Sequence, residues 1–328
     1  MIKIYTNQVA GGWEPTDLVN GLGGSEEAVV CLAAELKRFY RCDVTVYHEQ
    51  KYKEDKAIDG VVYLGRDKFS CNKDEILIMF KSFPLPVLGD FEARQVLHWS
   101  CEVTNPLDTG SLDYWVNVTD YHQSRHFWVP EEKSVVIPFG TGIESLESNR
   151  KEKEPNLMLY ASSPDRGLFQ LLEKWGAIKE KHPDLKLVVT YGFEVYDAMI
   201  DEYTGGIKQA FISLRKQLFS LMQQPDIEYV GHQKKNEIEQ LYWKSQYWCL
   251  PLNLPDAELF CMNAVKSQYA GAIPVVNKVG ALRNTVGKFI PFSSFAEGRT
   301  ELMGSKAEVG AMNWSLIVAN YWSKILNI

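Results

Sequence analysis

The stretch at residues 255–276, PDAELFCMNAVKSQYAGAIPVV, decides the fold class. It opens with an acidic, loop-like segment that contains Asp256 and Glu258, and a compact apolar segment follows at residues 259–269. Gly271 predicts the end of a helix, and residues 273–276 predict a short buried strand. A loop that brings a carboxylate to the start of a helix often binds a phosphorylated ligand in α/β proteins, because a helix N-terminus offers unpaired N–H groups and a positive dipole end.

Length and composition limit the classes of protein that need to be considered. A chain of 328 residues suits two domains of about 150 residues each. Its net charge of −7 gives no reason to expect nucleic acid or an anionic membrane as a partner. No apolar run approaches the roughly 20 residues of a transmembrane helix, and MIKIYTN predicts a first strand rather than a signal peptide. Six scattered cysteines without a C-x-x-C pair favour reduced thiols in the cytoplasm over disulfides or a zinc site.

The first half of the chain alternates strand-like and helical segments. Alternating residues at 1–5 predict a strand, GLGGSEEAVVCLAAELKRFY at 21–40 predicts a helix after a glycine turn, and DVTVY at 43–47 predicts a second strand. Further short strands are predicted at residues 61–64, 76–80, 95–97, 114–118 and 134–137. This alternation predicts a mostly parallel sheet with helices on its faces.

The pattern restarts after a polar segment at residues 144–155, which we interpret as a linker. Strands are predicted at 157–161, 185–191, 227–230, 247–250 and 273–276, and helices at 167–181, 199–222, 235–244 and 259–269. The tail at 311–328 predicts one long helix with an apolar side. We therefore expect two doubly wound domains, at 1–147 and 148–308, with a terminal helix at 309–328. In such a protein the ligand lies in the cleft between the halves, at the carboxyl ends of the strands.

Five segments, in this order along the chain, resemble glycosyltransferase family 4. They are GGSEEAVVCLAAEL followed by DVTVY, VIPFGTGIE, YASSPDRGLFQLLEKWGAIKEKHPDLKLVVTYG, YVGHQKKNEIEQLYWKSQYWCLP and AELFCMNAVKSQYAGAIPV. The resemblance implies the GT-B fold, which is two Rossmann-like domains facing each other across a cleft. The last helix of that fold crosses back to the N-terminal domain. The resemblance also implies transfer of a sugar from a nucleotide-diphosphate sugar, with retention of anomeric configuration and usually without a metal.

Two predicted positions would contact the donor phosphates. Gly23, Gly24 and Ser25 precede a helix, where backbone N–H groups can approach a diphosphate or the transferred sugar. The alternative is an ordinary glycine turn that permits close packing. Arg166 stands where the resemblance implies a basic residue beside a glycine, and a guanidinium there can bind phosphate oxygens in a bidentate manner. The alternative is a solvated arginine or a pair with Asp165. The second basic residue common in the family is replaced by serine at 162 and 163.

Glu258 matches the first glutamate of the family's E-x7-E signature. The resemblance places it near the donor sugar and the reacting centre, with Leu259, Phe260 and Cys261 on the donor phosphate and sugar. By its chemistry alone the carboxylate is as well explained as a helix cap. The second glutamate, which would accept hydrogen bonds from the ribose, is replaced by Lys266. An ammonium group cannot accept a hydrogen bond, so the ribose contact is remade by Asn263 or a water, or it is lost.

Histidines supply the remaining candidates. His98 follows a strand where the family often carries a histidine or a His-Asp pair that faces the donor sugar, which makes it a candidate catalytic residue. In a second alignment Cys101 and Glu102 occupy these positions, and His98 is a partly buried structural histidine. His122 and His126 have the spacing of zinc ligands on a helix, but without a third ligand they favour a solvated face or an acceptor wall. Gly231 and His232 end a strand where the family's base-binding loop begins.

The expected function is therefore transfer of a sugar from a UDP- or GDP-linked donor to a sugar, glycan or glycoconjugate. No Asp-x-Asp motif is present, so no metal and no separate cofactor are expected. The first alternative is a nucleotide-sugar-binding protein that has lost catalysis, since Lys266 interrupts the signature. The second is an epimerase or an inverting transferase on the same architecture. Acceptor recognition is expected from residues 10–22 and 83–90.

Overall fold

The computed structural model describes residues 1–6, 12–81, 91–306, 309–326 and 328, without the side chains at 195 and 199. The chain divides into two compact units, residues 1–142 with 311–328, and residues 143–310. The first unit therefore ends at 142 instead of 147. The expected linker at 144–155 begins instead with a helix, Ile143–Ser148, and a strand starts at Glu154. Ser145 Oγ and Asn149 Nδ2 donate hydrogen bonds to Glu239 Oε2 at 2.9 and 2.8 Å, which attaches this segment to the second unit.

The first unit contains an eight-stranded sheet in the order β3-β4-β2-β1-β5-β6-β7-β8. Its strands are β1 (Ile2–Thr6), β2 (Val44–His48), β3 (Lys56–Ile58), β4 (Val61–Gly65), β5 (Ile76–Phe80), β6 (Gln95–Trp99), β7 (Tyr114–Asn117) and β8 (Ser134–Val136). Every neighbouring pair is parallel except β3 with β4. The predicted parallel sheet is confirmed. Strands β1, β2, β5 and β6 are buried along their whole length, as expected of parallel strands covered on both faces.

Helix α1 (Gly24–Tyr40) follows β1 and packs through an apolar stripe that includes Ala28, Val29, Leu32 and Leu36. Its first turn carries Glu26 and Glu27 and its last turn Lys37 and Arg38, which complements the helix dipole. Helix α2 (Asp120–Arg125) is shorter and is capped by the side chain of Thr119. Of the segments expected to recognise an acceptor, residues 83–90 lie outside the described residues, as do 10 and 11.

The second unit contains a six-stranded parallel sheet in the order β11-β10-β9-β12-β13-β14. Its strands are β9 (Glu154–Ala161), β10 (Lys186–Thr190), β11 (Ile227–Gly231), β12 (Ser245–Leu250), β13 (Ile273–Val276) and β14 (Ile290–Pro291). Its helices are α3 (Ile143–Ser148), α4 (Leu168–Lys181), α5 (Glu194–Glu202), α6 (Gly205–Leu221), α7 (Lys235–Lys244), α8 (Met262–Tyr269), α9 (Leu282–Thr285) and α10 (Phe292–Ala296). The predicted second α/β sheet is also confirmed.

The tail differs from the single long helix predicted for residues 311–328. A 3-10 turn at Val309–Met312 precedes α11 (Trp314–Ile317), a π-helical turn at Val318–Trp322 and α12 (Ser323–Ile325). Trp314 and Trp322 both pack edge-on against Trp99 in the first unit. A side chain at Gly140 would collide with the Trp314 ring, so this close approach requires a glycine.

Candidate functional site

Each sheet has a point where its strand order reverses direction. In the second unit β9, β10 and β11 run outward on one side, and β12, β13 and β14 run outward on the other. The loops after β9 and β12 therefore diverge at the carboxyl edge, which is where open α/β sheets bind their ligands. Arg166 lies in the loop after β9, and Glu258 lies in the loop after β12. The structure thus brings together two residues that are far apart in the sequence.

Arg166 and Glu258 form a direct ion pair at this switch point. The Arg166 Nη1 atom donates to Glu258 Oε2 at 2.9 Å. The Arg166 side chain is 37% exposed and that of Glu258 14% exposed, so the pair is shielded on the carboxylate side and open on the guanidinium side. Burial lowers the pKa of Arg166, but the charges of Glu258 and Asp165, with smaller effects from Tyr191 and Cys261, together outweigh burial, and the pKa lies above its usual value. Arg166 is therefore paired with Glu258 rather than with Asp165.

The Arg166 loop is held by contacts from both sides. The Tyr160 hydroxyl lies 2.8 Å from the Ser163 carbonyl oxygen and 3.0 Å from that of Arg166. Gly167 has a φ of 88° and directly precedes α4, and a Cβ atom there would lie 3.0 Å from the backbone of Pro251. The loops after β9 and β12 therefore touch backbone to backbone at a position that only glycine fits.

Gly167→Ala is expected to lower the free energy of unfolding by about 1–3 kcal/mol, because alanine combines a left-handed φ with a clash against Pro251. Gly176→Ala is the matched control. Gly176 lies inside α4 with nothing within 4 Å of the added methyl group, so alanine there is expected to stabilise the helix by up to about 1 kcal/mol. Urea unfolding of both variants measures the difference. Equal effects of the two substitutions would contradict the proposed backbone contact.

Glu258 also fixes the entry to α8. Its Oε1 atom accepts a hydrogen bond from the Cys261 backbone N–H at 2.9 Å. Cys261 precedes α8 in a left-handed conformation (φ 64°, ψ 74°), so the helix begins at Met262 and not at the predicted residue 259. Leu259 and Phe260 connect Glu258 to Cys261 along the chain, and Phe260 is buried. Burial, followed by the charge of Glu258, raises the pKa of the Cys261 thiol well above its usual value, which keeps the thiol neutral.

The two residues expected near the ribose lie on α8. Lys266 is 8% exposed. The side chain of Asn263 is occupied at both ends, because its Oδ1 accepts from the Tyr242 hydroxyl and its Nδ2 donates to the Ala161 carbonyl oxygen. One N–H donor and one lone pair of this amide remain for a further contact, but its orientation is fixed by these two bonds. Gly231 ends β11 with a φ of 68°, and the exposed His232 follows it at the same carboxyl edge.

In the first unit the strand order reverses between β1 and β5. Gly23 and Gly24 are exposed at the start of α1, and Glu26 extends back toward Gly23, where a side chain would collide with its carboxylate. Glu26 Oε1 lies 3.0 Å from the Nζ atom of Lys81, the residue that directly follows β5. Neither Lys81 nor Glu26 is among the site residues predicted from the sequence. A lysine after a strand is usually solvated, and only the sheet order brings the two residues together.

His98 lies inside β6 and is 2% exposed, with its ring 4.2 Å from that of Trp115. Burial, then the nearby His126 and His122, lower the pKa of His98 to about 3. Its ring is therefore enclosed by its own unit and neutral. Cys101 and Glu102 follow the strand end and are half-buried. His98 thus lies within the sheet, whereas Cys101 and Glu102 lie beyond the carboxyl end of β6.

His122 and His126 do not form a solvated face, since they are 0% and 1% exposed. The Thr104 N–H donates to His126 Nε2 at 3.2 Å, the Trp115 indole N–H donates to His126 Nδ1 at 3.2 Å, and Asn117 Oδ1 lies 2.8 Å from the same Nδ1 atom. His122 Nε2 lies 3.0 Å from the Glu102 carbonyl oxygen. Among the described residues no group of three or more His, Cys, Asp or Glu side chains is arranged to hold a metal ion. A search of the same residues finds no helix that could span a membrane.

Comparison with known proteins agrees with this architecture. Residues 143–292 match the family model described as glycosyl transferases group 1. No curated protein matches the sequence. The solved structure of AviGT4, a glycosyltransferase involved in avilamycin A biosynthesis, is similar with a TM-score of 0.64 at 12% identity, covering 98% of this chain and 96% of that one. A glycosyltransferase from Rickettsia africae ESF-5 gives 0.66 at 14% identity, covering 99% and 97%.

A third similar structure is Anabaena HepE, solved in complex with UDP and glucose. Its TM-score is 0.56 at 12% identity, and the match covers 99% of this chain and 91% of that one. At these identities the likeness concerns the fold. The chain therefore has the fold of the GT-B glycosyltransferases, and its segment 143–292 matches the glycosyl transferases group 1 family.

Proposed function

We propose that this chain is a retaining, metal-independent glycosyltransferase of family 4. It moves a sugar from a UDP- or GDP-linked donor to a sugar, glycan or glycoconjugate acceptor. The observation that carries the proposal is the Arg166–Glu258 pair at the switch point of a unit that matches the group 1 family. All six cysteines are free thiols, which supports a cytoplasmic location.

In the proposed reaction Arg166 and Glu258 have different roles. The more exposed Arg166 guanidinium binds the diphosphate and stabilises the negative charge that grows as the bond between the sugar and the phosphate breaks. Glu258 accepts hydrogen bonds from hydroxyl groups of the donor sugar. The acceptor hydroxyl forms the new glycosidic bond on the face that the diphosphate leaves, and its proton passes to an oxygen of the departing diphosphate. No protein nucleophile is assigned, because no described carboxylate other than Glu258 accompanies Arg166 in an ion pair at this edge.

A screen of nucleotide sugars tests the proposal. Ligands that bind only the folded chain raise its stability, by about 2.7 kcal/mol at a concentration of 100 Kd. We expect a UDP- or GDP-sugar to raise the melting temperature, and the same compound to be hydrolysed or transferred to an added glycan. Retention is tested by the anomeric configuration of the product in NMR. An inverted product would favour an inverting enzyme on the same fold, and a changed sugar with no transfer would favour an epimerase.

A second candidate function is nucleotide-sugar binding without catalysis. Lys266 favours it, since the ammonium stands where the signature has a ribose-binding carboxylate and Asn263 is engaged elsewhere. Tight binding in the thermal screen with no turnover, with or without acceptors, would support this candidate over the transferase.

Lys266→Glu is expected to tighten binding of UDP or GDP about tenfold, because a carboxylate restores charged hydrogen bonds to the ribose hydroxyls. Lys266→Met is the control that removes the ammonium without adding an acceptor, and we expect it to change affinity by less than threefold. Isothermal titration calorimetry measures both. Weaker binding in both variants would mean that the ammonium itself contacts the nucleotide, for example at a phosphate.

A further inference from the structure

The switch point of the first unit also carries a partly buried pair of opposite charges. Beyond β1 the strand order continues through β2, and beyond β5 it continues through β6 in the other direction. Glu26 reaches this point from the first turn of α1, and Lys81 is the first residue after β5. The position corresponds to that of Arg166 and Glu258 in the second unit. The topology of a doubly wound sheet thus predicts a ligand here as well.

The environment of the pair makes a purely structural role a poor explanation. Both side chains are shielded, Lys81 at 14% and Glu26 at 15% exposure, and their charged atoms are 3.0 Å apart. Taking two charges out of water costs about as much as their attraction returns, so a buried pair contributes little to stability. Lys81 also adopts a left-handed backbone (φ 67°), which non-glycine residues rarely do, while its N–H donates to the Trp99 carbonyl oxygen at 2.9 Å.

The hydrogen-bonding capacity of the pair is only partly used. An ammonium group has three N–H donors, and within the described part of the chain Lys81 Nζ has one hydrogen-bond acceptor, Glu26 Oε1. Over the same residues, Glu26 Oε2 accepts no hydrogen bond from a protein group. Both side chains are only partly buried, so these atoms are open to solvent or to a ligand. Two donors and one acceptor, set side by side, are therefore available to a ligand.

The local charge indicates which kind of partner fits. Lys81 and Glu26 neutralise each other, and the carboxylate of Glu102 adds a further negative charge that acts on Lys81. A phosphate or carboxylate would have to displace Glu26 and approach Glu102. A pair of neighbouring hydroxyl groups needs no displacement, because one hydroxyl oxygen can accept from Lys81 while the other hydroxyl donates to Glu26. Neutral polyols match both the charge and the donor pattern.

We propose that Glu26 and Lys81 form a subsite for two adjacent hydroxyl groups of a sugar. The proposal deepens the function given above and rests on it only in taking a sugar as the substrate. Its test is a binding measurement, so it can fail while transfer is confirmed, or succeed while no transfer is found.

The test uses the full chain and a panel of methyl hexosides (gluco, manno and galacto), measured by saturation-transfer NMR and titration. We expect at least one hexoside to bind. Lys81→Met and Glu26→Gln are each expected to raise its Kd about tenfold or more, and Lys81→Gln, which keeps a neutral donor, less. Lys3→Met is the matched control. Lys3 lies in β1, and Glu75 directly precedes β5. Their charged atoms form a buried ion pair at 3.6 Å, near the amino ends of these strands and away from the carboxyl ends.

A parallel titration with pyrophosphate distinguishes the alternative ligand. If Glu26→Gln tightens pyrophosphate binding and leaves the hexosides unaffected, the subsite is anionic and the proposal is wrong. It is equally overturned if the wild-type chain binds none of the hexosides, or if Lys3→Met weakens their binding as much as Lys81→Met. Melting temperatures of all variants, compared with the wild type, show whether a loss of binding is a loss of folding.

Discussion

Arg166→Met is expected to lower the rate of sugar transfer by a factor of about 10²–10³, with a smaller effect on the Kd of the nucleotide sugar. The guanidinium lies at the switch point of the second unit, and Glu258 already holds it in place at 2.9 Å. A preorganised charge stabilises the departing diphosphate more than the intact donor, because the negative charge grows as the bond to the sugar breaks. Steady-state kinetics with the donor identified by the thermal screen, together with calorimetry of UDP binding, measures the two effects separately.

Arg215→Met is the matched control for this experiment. Arg215 also pairs with a carboxylate in the second unit, donating to both oxygens of Asp197 at 2.6 and 2.9 Å, but it lies on α6 and not in a loop at the switch point. Its removal is expected to change kcat less than threefold. Arg166→Lys retains the charge without the bidentate geometry, and an intermediate rate is expected. If Arg166→Met retained more than a third of the wild-type kcat, the phosphate role assigned to this residue would be refuted.

The sheets were predictable because their strands are short, buried and apolar. Such runs at β5 and β13 could be recognised without a partner, and their alternation with helices determines a parallel sheet. The elements that escaped prediction are too short for any periodicity, such as the two-residue strand β14 and the four-residue helix α9. The late start of α8 has a local cause, since the left-handed conformation of Cys261 is not encoded by a glycine.

The candidate site was predictable one residue at a time but not as an arrangement. Arg166 and Glu258 could each be assigned to a loop after a strand, whereas their contact depends on β9 being the neighbour of β12. The ion pair of Lys81 could not be predicted for the same reason, because its partner Glu26 lies 55 positions away in the sequence. For His98 the predicted strand ended at residue 97, while β6 continues to Trp99. Because the strand is two residues longer than predicted, the His98 side chain lies within the sheet and not at its open carboxyl edge.

The buried histidines lead to a second large effect, a loss of stability in mild acid. Burial is the main cause that lowers the pKa of both His98 and His126 to about 3, with further lowering from neighbouring histidines. In the unfolded chain a histidine has a pKa of about 6.5. Below that pH the unfolded chain takes up protons that the folded chain does not. Above pH 6.5 these two histidines therefore do not lower the free energy of unfolding, and that free energy decreases as the pH falls from 6.5 toward 3.

Linkage gives the size of this effect. Each histidine is expected to reduce the free energy of unfolding by about 1.4 kcal/mol per pH unit in this range, or about 2 kcal/mol between pH 7 and pH 5. The two together correspond to about 4 kcal/mol, which is a large part of the stability of an ordinary domain. Urea unfolding at a series of pH values, followed by tryptophan fluorescence, measures the slope.

Glutamine variants separate this effect from general acid denaturation. His98→Gln removes one titrating group, and the slope between pH 6 and pH 4 is expected to fall by about 1.4 kcal/mol per pH unit. The double variant with His126→Gln should lose twice that amount, although its stability at pH 7 will be lower because His126 bonds to Thr104 and Asn117. A wild-type chain whose unfolding free energy stays constant between pH 7 and pH 5 would contradict the burial of neutral His98 and His126. A double variant with the wild-type slope would assign the acid sensitivity to other groups.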